Sequence, residues 1–391
     1  MTDCTDLAEP SLDFVAPNTA GEKAYRSLDE VDWSFPTRVT HSEIEGVHPY
    51  PAKFVAELPR ALLEHLPIPR GTSVLDPFCG SGTALVESQR VGIESVGIDL
   101  NPIACLMSRV KTQPCPNDLG REARAVQEIA RDVAPCVPKI PNLDHWFRPD
   151  IQMELARLTA AIADAPAEAR DCLHLALSSI IVRVSNQESD TRYAAIEKDI
   201  EAASVGDWFI RAAQRIAVAL SGLKYPLVPA RVIEGNTLEV TPEQIGTRVG
   251  MVITSPPYPN AYEYWLYHKY RMWWLGYDPL SVKEREIGAR AHFFKKNHHT
   301  KEHFVEQMKH TFSLLDKVVV QKGYVCFVVG RSCIHGKIIN NAEIVEQAGL
   351  EKGFVRYFTT ERVLSANRKS FNLSHANIKT ETVFVLRKEA D

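Results

Sequence analysis

The chain has 391 residues, 45% of them hydrophobic and 24% charged, with 45 Lys and Arg against 49 Asp and Glu for a formal net charge of −4. That is an ordinary globular composition, long enough for two cores or for one core carrying a large insertion. No apolar run reaches the roughly 18 residues of a membrane helix, and the acidic opening MTDCTDLAEP is unlike a secretory leader, so neither is expected.

The eight cysteines are scattered without CxxC pairing, which points to reduced thiols in a cytoplasmic protein and away from a disulfide framework or zinc site. The near-neutral total hides a split. Residues 1–260 hold 24 basic and 35 acidic side chains, a balance of −11, whereas residues 261–391 hold 21 and 14, a balance of +7. A polyanion would be drawn to the second part.

In chain order, residues 1–40 read as an extended or poorly structured N-terminal extension. Strand patterns follow at Ser73–Asp76 and Ser95–Asp99, with a helix from Thr83 to Val91 between them, a βαβ unit. Further strands are expected at Ala230–Glu234, Gly250–Thr254, Tyr324–Val329, Phe354–Phe358 and Thr382–Leu386, the last two as an antiparallel hairpin. Seven such strands are the inventory of a doubly wound, Rossmann-like α/β sheet. The connection from Asn101 to Arg231 is too long for one crossover helix, and most of it must be an insertion. Its stripes (Ile151, Leu155, Leu158, Ile162; Trp208, Ala212, Ile216, Leu220) are helical. The division expected is 41–109 with 226–391 as one domain and 110–225 as a helical insertion.

Asp76-Pro77-Phe78-Cys79-Gly80-Ser81-Gly82-Thr83 follows the first strand and opens a helix. Gly80 and Gly82 permit a sharp turn and close approach of a ligand to a helix N-terminus. Leu85 breaks the GxGxxG spacing of a dinucleotide loop, and no GKS or GKT is present, which removes a P-loop. Asp99 ends the second strand, with Leu100 beside it, where a carboxylate suits ribose hydroxyls. Asp76 could face the ammonium of an amino-acid moiety, pointing to S-adenosylmethionine as cofactor. Asn236, after the third strand, is placed to meet an adenine edge. The competing readings are a packing turn for the loop, a solvated strand end for Asp99 and a plain turn for Asn236.

Thr254 is followed by Ser255-Pro256-Pro257-Tyr258 at the carboxyl edge of the fourth strand, where open α/β sheets place their chemistry. An exocyclic base amine is a poor nucleophile because its lone pair is delocalised. Accepting its two N–H groups on Ser255 Oγ and the Pro256 carbonyl would favour a pyramidal nitrogen poised to attack a methyl sulfonium. Tyr258 would stack on the base, an interaction worth about 1–3 kcal/mol. Such a base must be flipped out of the duplex. Taken alone the tetrapeptide could be a strand-ending proline turn.

With both motifs in this order, the chain resembles the S-adenosylmethionine-dependent DNA amino-methyltransferases, specifically the N4-cytosine type marked by SPPY. The resemblance implies cofactor binding by Asp76–Thr83 and Asp99, and catalysis by Ser255, Pro256, Pro257 and Tyr258. A third match is His48-Pro49-Tyr50-Pro51-Ala52-Lys53-Phe54 behind Trp33-Ser34-Phe35, implying that Tyr50, Lys53 and Phe54 pack over the cofactor. Serine at 255 favours cytosine N4 over adenine N6. Adenine-N6 methylation, an RNA amine target and a catalytically silent DNA-binding subunit are the alternatives. The implied partner is double-stranded DNA, with a cognate restriction endonuclease as a further partner.

After the catalytic turn, Tyr262, Leu266, Tyr270 and Trp274 repeat at helical spacing, expected as a helix packed on the sheet; Tyr262 is also a candidate wall of the base pocket. Lys283, Arg290, Lys295 and Lys296 lead a basic run suited to tracking phosphates. His298, His299 and His303 lack a convincing ligand set, so no metal is expected. From Ser255 onward only 137 residues remain, all needed by the sheet and its helices, which leaves the helical insertion as the target-recognition region. Within it Asn186, Gln187 and Arg192 are side chains able to pair with base edges, with a solvated loop as the competing reading. Arg368, between the last two strands, is a further backbone-contact candidate.

Overall fold

The computed structural model describes residues 14–15, 27–35, 43–259, 262–293, 298–334, 336–363 and 380–389. Lys295, Lys296 and Arg368, and most of the N-terminal extension, lie outside the described residues. Seven strands, β1 (Ser73–Asp76), β2 (Ser95–Asp99), β3 (Ala230–Glu234), β4 (Val249–Thr254), β5 (Val319–Gly330), β6 (Phe354–Val363) and β7 (Thr380–Lys388), form one sheet in the order β6-β7-β5-β4-β1-β2-β3. The central strands are parallel, with Leu75 level with Val96 on one side and Val252 on the other. β4 is buried at all six positions, as a strand covered on both faces requires. β7 runs antiparallel to both β5 and β6, so the expected terminal hairpin is present.

The chain leaves β1 toward β2 and β3 on one side and returns to β4 on the other. The order therefore reverses between β1 and β4, and their carboxyl ends carry Asp76 and Thr254. This is the crevice where doubly wound sheets bind ligands.

Helices α1 (Glu57–His65), α2 (Thr83–Arg90) and α3 (Pro102–Thr112) flank the first strands. α3 starts at Pro102 because Asn101 caps it, accepting from Ile103 N at 3.0 Å, and proline at the first position sacrifices no hydrogen bond. The segment between α3 and β3 holds α4 (Leu119–Asp132), α5 (Pro149–Ile162), α6 (Ala167–Val184) and α7 (Ser204–Ser221). The expected polar loop after α6 is instead a short hairpin, Gln187–Ser189 against Arg192–Ala195.

After the Ser255–Tyr258 turn comes α8 (Tyr264–Trp274), then α9 (Lys301–Val318) and α10 (Asn341–Leu350). α8 differs from expectation. It packs on the insertion and not on the sheet, its Trp274 and Tyr270 meeting Phe147 edge-on at 5.4 and 5.6 Å. The sheet faces are already occupied: α9 and α10 contribute Phe304, Phe312 and Val345 to one, and α1 contributes Leu58 and Leu62 to the other. A helix with a broad aromatic stripe is left to bury it in the third apolar cluster, which runs from α3 through α4–α7. Among the described residues no helix is long and apolar enough to cross a membrane.

Candidate active site at the sheet switch point

The Asp76–Thr83 loop is a turn held from all sides. Gly80 and Gly82 adopt φ of +49° and +80°, in the left-handed region that favours glycine. A Cβ on Gly82 would lie 2.7 Å from Ser108 Oγ and 2.9 Å from Ser108 Cα, so the loop rests against α3. Ser108 Oγ donates to Gly80 O at 2.9 Å, and Lys111, one helical turn on, donates to Ser81 O at 2.8 Å. Lys111 is 2% exposed, and burial pushes its ammonium down to about 7. Thr237, just past β3, donates to Pro77 O. Phe78 N donates to Asp76.

Two carboxylates line this turn, Asp76 buried and Asp99 partly exposed. Asp76 accepts from Thr254 Oγ1 at 2.6 Å, and burial raises it to about 7. Asp99 accepts from Gly80 N and Asn101 N, both at 2.8 Å, and burial raises it to about 6. Neither carboxylate is in an ion pair among the described residues. Asn101 Nδ2 is likewise buried without a hydrogen-bond partner among them. Anionic groups desolvated at the switch point, an orphaned amide beside Asp99 and a glycine cradle fit a cationic ligand that also bears hydroxyls, as S-adenosylmethionine does.

Tyr50 covers the loop. A Cβ on Gly80 would meet its hydroxyl at 3.0 Å, and its ring stacks on Tyr264 and His268 at 5.6 and 5.4 Å. Tyr262 continues the ladder at 5.8 Å from Tyr264. Lys53 turns elsewhere, donating to the carbonyls of Glu45 and His48. Phe54 packs with the α1 cluster. Leu100 joins the insertion-side cluster. Asn236 spends its side chain locally, accepting from Leu238 N and donating to Glu239 at 3.1 Å each, the turn arrangement.

The Ser255–Tyr258 turn leaves β4 beside Asp76. Pro256 is buried, while Ser255, Pro257 and Tyr258 are partly exposed. Gly330, at the end of β5, lies against the Tyr258 ring, a Cβ there standing 3.0 Å from the Tyr258 hydroxyl, and burial holds the phenol well above its ordinary range. Gly288, at φ +73°, passes so near that a Cβ would stand 2.6 Å from the Tyr258 carbonyl. Two residues earlier, Glu286 accepts from Tyr264 N and Trp265 N at 2.8 and 2.9 Å, capping α8; burial raises it to about 8. Residues 286–288 thus fix both the turn and the helix after it.

The candidate DNA-facing residues are less uniform. Gln187 is 1% exposed, and its amide donates to Ser189 O, so it lies beneath the hairpin and not at a base-reading surface. The reason is the hairpin itself, which folds residue 187 inward against α6. Asn186 is tied to His145 O at 3.0 Å. Arg192 projects outward, bonded to Glu188 at 2.7 Å. Lys283 lies 4.8 Å over the Trp265 ring. Arg290 is partly exposed. Elsewhere in the basic run, Arg285 pairs with Glu239 and Lys309 with Glu351.

Ser108, Lys111, Thr237 and Glu286 were not legible as site residues. Each reaches the loop or turn from a distant stretch of sequence. Only Lys111, a lone charge on an otherwise apolar helix face, carried a local signal.

A sheet of this order, with a glycine loop and two carboxylates at its switch point, is of the doubly wound, Rossmann-like class. Residues 16–109 match the DNA methylase family. The chain is 26% identical over 239 residues to the Type II methyltransferase M.MvaI of Kocuria varians, covering 55% of this chain and 53% of that protein. It is 24% identical over 271 residues to M.BsoBI of Geobacillus stearothermophilus, covering 60% and 53%. Over 71 residues it is 44% identical to M.MjaII of Methanocaldococcus jannaschii, 18% of this chain and 13% of that one. The chain spans about half the length, or less, of these curated relatives. Among solved structures it is similar to the rRNA methyltransferase aviRa from Streptomyces viridochromogenes, with TM-score 0.36 and 12% identity, covering 94% of this chain and 97% of that one. The motifs and the sequence matches together support membership of the DNA methyltransferase family that includes N6 and N4 enzymes. The family implies S-adenosylmethionine as methyl donor.

Proposed function

We propose that the protein is a site-specific DNA methyltransferase that methylates the exocyclic N4 amine of a cytosine flipped from duplex DNA. The observation that carries this is the 2.6 Å bond from Thr254 to Asp76, which clamps the last residue of β4, and so the catalytic turn, to the cofactor loop. When bound, S-adenosylmethionine supplies an electrophilic methyl group. Asp76 and Asp99 bind and orient it through its ammonium and ribose. Ser255 Oγ accepts one amine N–H, and the Pro256 carbonyl takes the other. Tyr258 and Tyr262 wall the flipped base.

In this reading residues 41–109 with 226–391 form the catalytic domain, and the insertion 110–225 recognises the target. The protein works in the cytoplasm on chromosomal duplex, in partnership with a restriction endonuclease of the same specificity. Incubation with duplex DNA and labelled cofactor, followed by nucleoside mass spectrometry, should yield N4-methylcytosine. N6-methyladenine would reassign the base. Label on RNA alone, or none, would overturn the reading.

A further inference from the structure

The helix behind the catalytic turn is fastened to the insertion by a buried guanidinium. Arg271 of α8 is 1% exposed. Its Nε donates to Ser178 O of α6 and its Nη1 to Tyr267 O, both at 3.1 Å, while Nη2 pairs with Asp190 at the hairpin tip. Two more contacts join the same surfaces. The Tyr193 hydroxyl donates to Leu266 O, and Lys269 lies over the rings of Trp146, Tyr193 and Tyr270 at 5.7, 4.9 and 4.7 Å. Ser178 also meets His48 Nε2 through Oγ at 2.9 Å. His48 is two residues before Tyr50, the ring over Gly80. One series of polar contacts therefore runs from the hairpin tip to His48, two residues short of the ring over Gly80.

Burying a guanidinium is costly, and a paired one often contributes little net stability compared with an apolar residue of its size. What it does supply is direction, because its planar fork fixes the relative placement of the groups it bonds. Here those groups belong to α6, the hairpin and α8. The hairpin also carries Arg192, the outward-facing guanidinium of the insertion's candidate readers.

We propose that Arg271 and Asp190 are a positioning pair that sets the hairpin Gln187–Ala195, as a target-contacting element, in register with the catalytic turn; this rests on the DNA-methyltransferase reading above. Neither residue touches the reacting atoms. Loss of the pair should therefore alter target engagement before it alters cofactor binding or the chemical step.

The test is Asp190→Asn in the full chain, which keeps shape and removes charge, with Arg271→Lys as a second variant that keeps charge and removes the fork. Hydrogen exchange at residues 187–195 should accelerate about tenfold while α4 and α7 keep their protection. With unmethylated bacterial genomic DNA as substrate, KM for DNA should rise about tenfold, with kcat and cofactor Kd within about twofold. Arg271→Lys, which loses the fork to all three groups, should move both readouts in the same direction and at least as far as Asp190→Asn. Unchanged exchange in the hairpin would overturn the proposal, as would faster exchange with unchanged KM, or a parallel loss of kcat, KM and cofactor affinity. If the wild-type protein labels no DNA, the functional reading fails, and the exchange measurement alone then decides whether the pair holds the hairpin.

Discussion

Replacing Thr254 by valine removes one hydroxyl and almost no volume, so its effect isolates the clamp between cofactor loop and catalytic turn. Thr254 is fully buried and Asp76 is 2% exposed, so water cannot replace the 2.6 Å bond. Asp76 is held up at about 7 by burial, and Thr254 is the strongest influence holding it down. A carboxyl raised in the folded state contributes stability that is full below its unfolded value of 3.8 and is lost as pH rises through about 7. Below that range the hydroxyl bonds a neutral acid, a contact worth about 1 kcal/mol; above it, it bonds an anion, worth roughly 1.5–3 kcal/mol. Thr254→Val should therefore cost about 1 kcal/mol at pH 5 and about 2 kcal/mol at pH 8 by urea denaturation. Cofactor affinity should weaken most near neutral pH, where the variant's Asp76 stays protonated, and recover toward pH 9. A stability cost that is flat in pH, or larger at pH 5, would refute the reasoning.

Gly82→Ala should destabilise by at least about 1–2 kcal/mol from its left-handed backbone alone, and thermal unfolding should show more because the new Cβ meets the Ser108 backbone at 2.9 Å. Lys111 is depressed to about 7 from 10.5, so wild-type stability should gain as pH rises from 7 past 10 while the unfolded chain sheds the extra proton. Lys111→Met should abolish that gain, and a difference curve between the two proteins reads it. Ser255→Ala and Tyr258→Ala should each lower single-turnover methyl transfer at least about a hundredfold and leave cofactor Kd, measured by calorimetry, within a few-fold. Loss of cofactor binding in both would contradict their assignment to the base amine.

Strands β1, β2 and β4 were legible because each is a short apolar run bounded by turn residues, and a buried parallel strand is written locally in that way. The glycine loop and the proline turn were legible for a related reason. Glycine and proline restrict or free the backbone at the residue itself, so their placement survives any tertiary arrangement. The sequence also separated the +7 segment from the acidic remainder.

Tertiary structure decided the rest. Tyr262, Leu266, Tyr270 and Trp274 announced a helix with one apolar stripe, but a stripe does not say which surface will cover it. The sheet faces were filled by α1, α9 and α10, and the insertion took α8 instead. Gln187 read as an exposed polar residue until the hairpin turned it under. Arg271 sits in a helix of aromatics, and its partners Ser178 and Asp190 lie 93 and 81 residues away. Local sequence determines the conformations a segment can adopt, because sterics and periodicity act over a few residues. Which side chains meet across the fold depends on how those segments compete for shared surface, and that competition is settled only when all of them are packed.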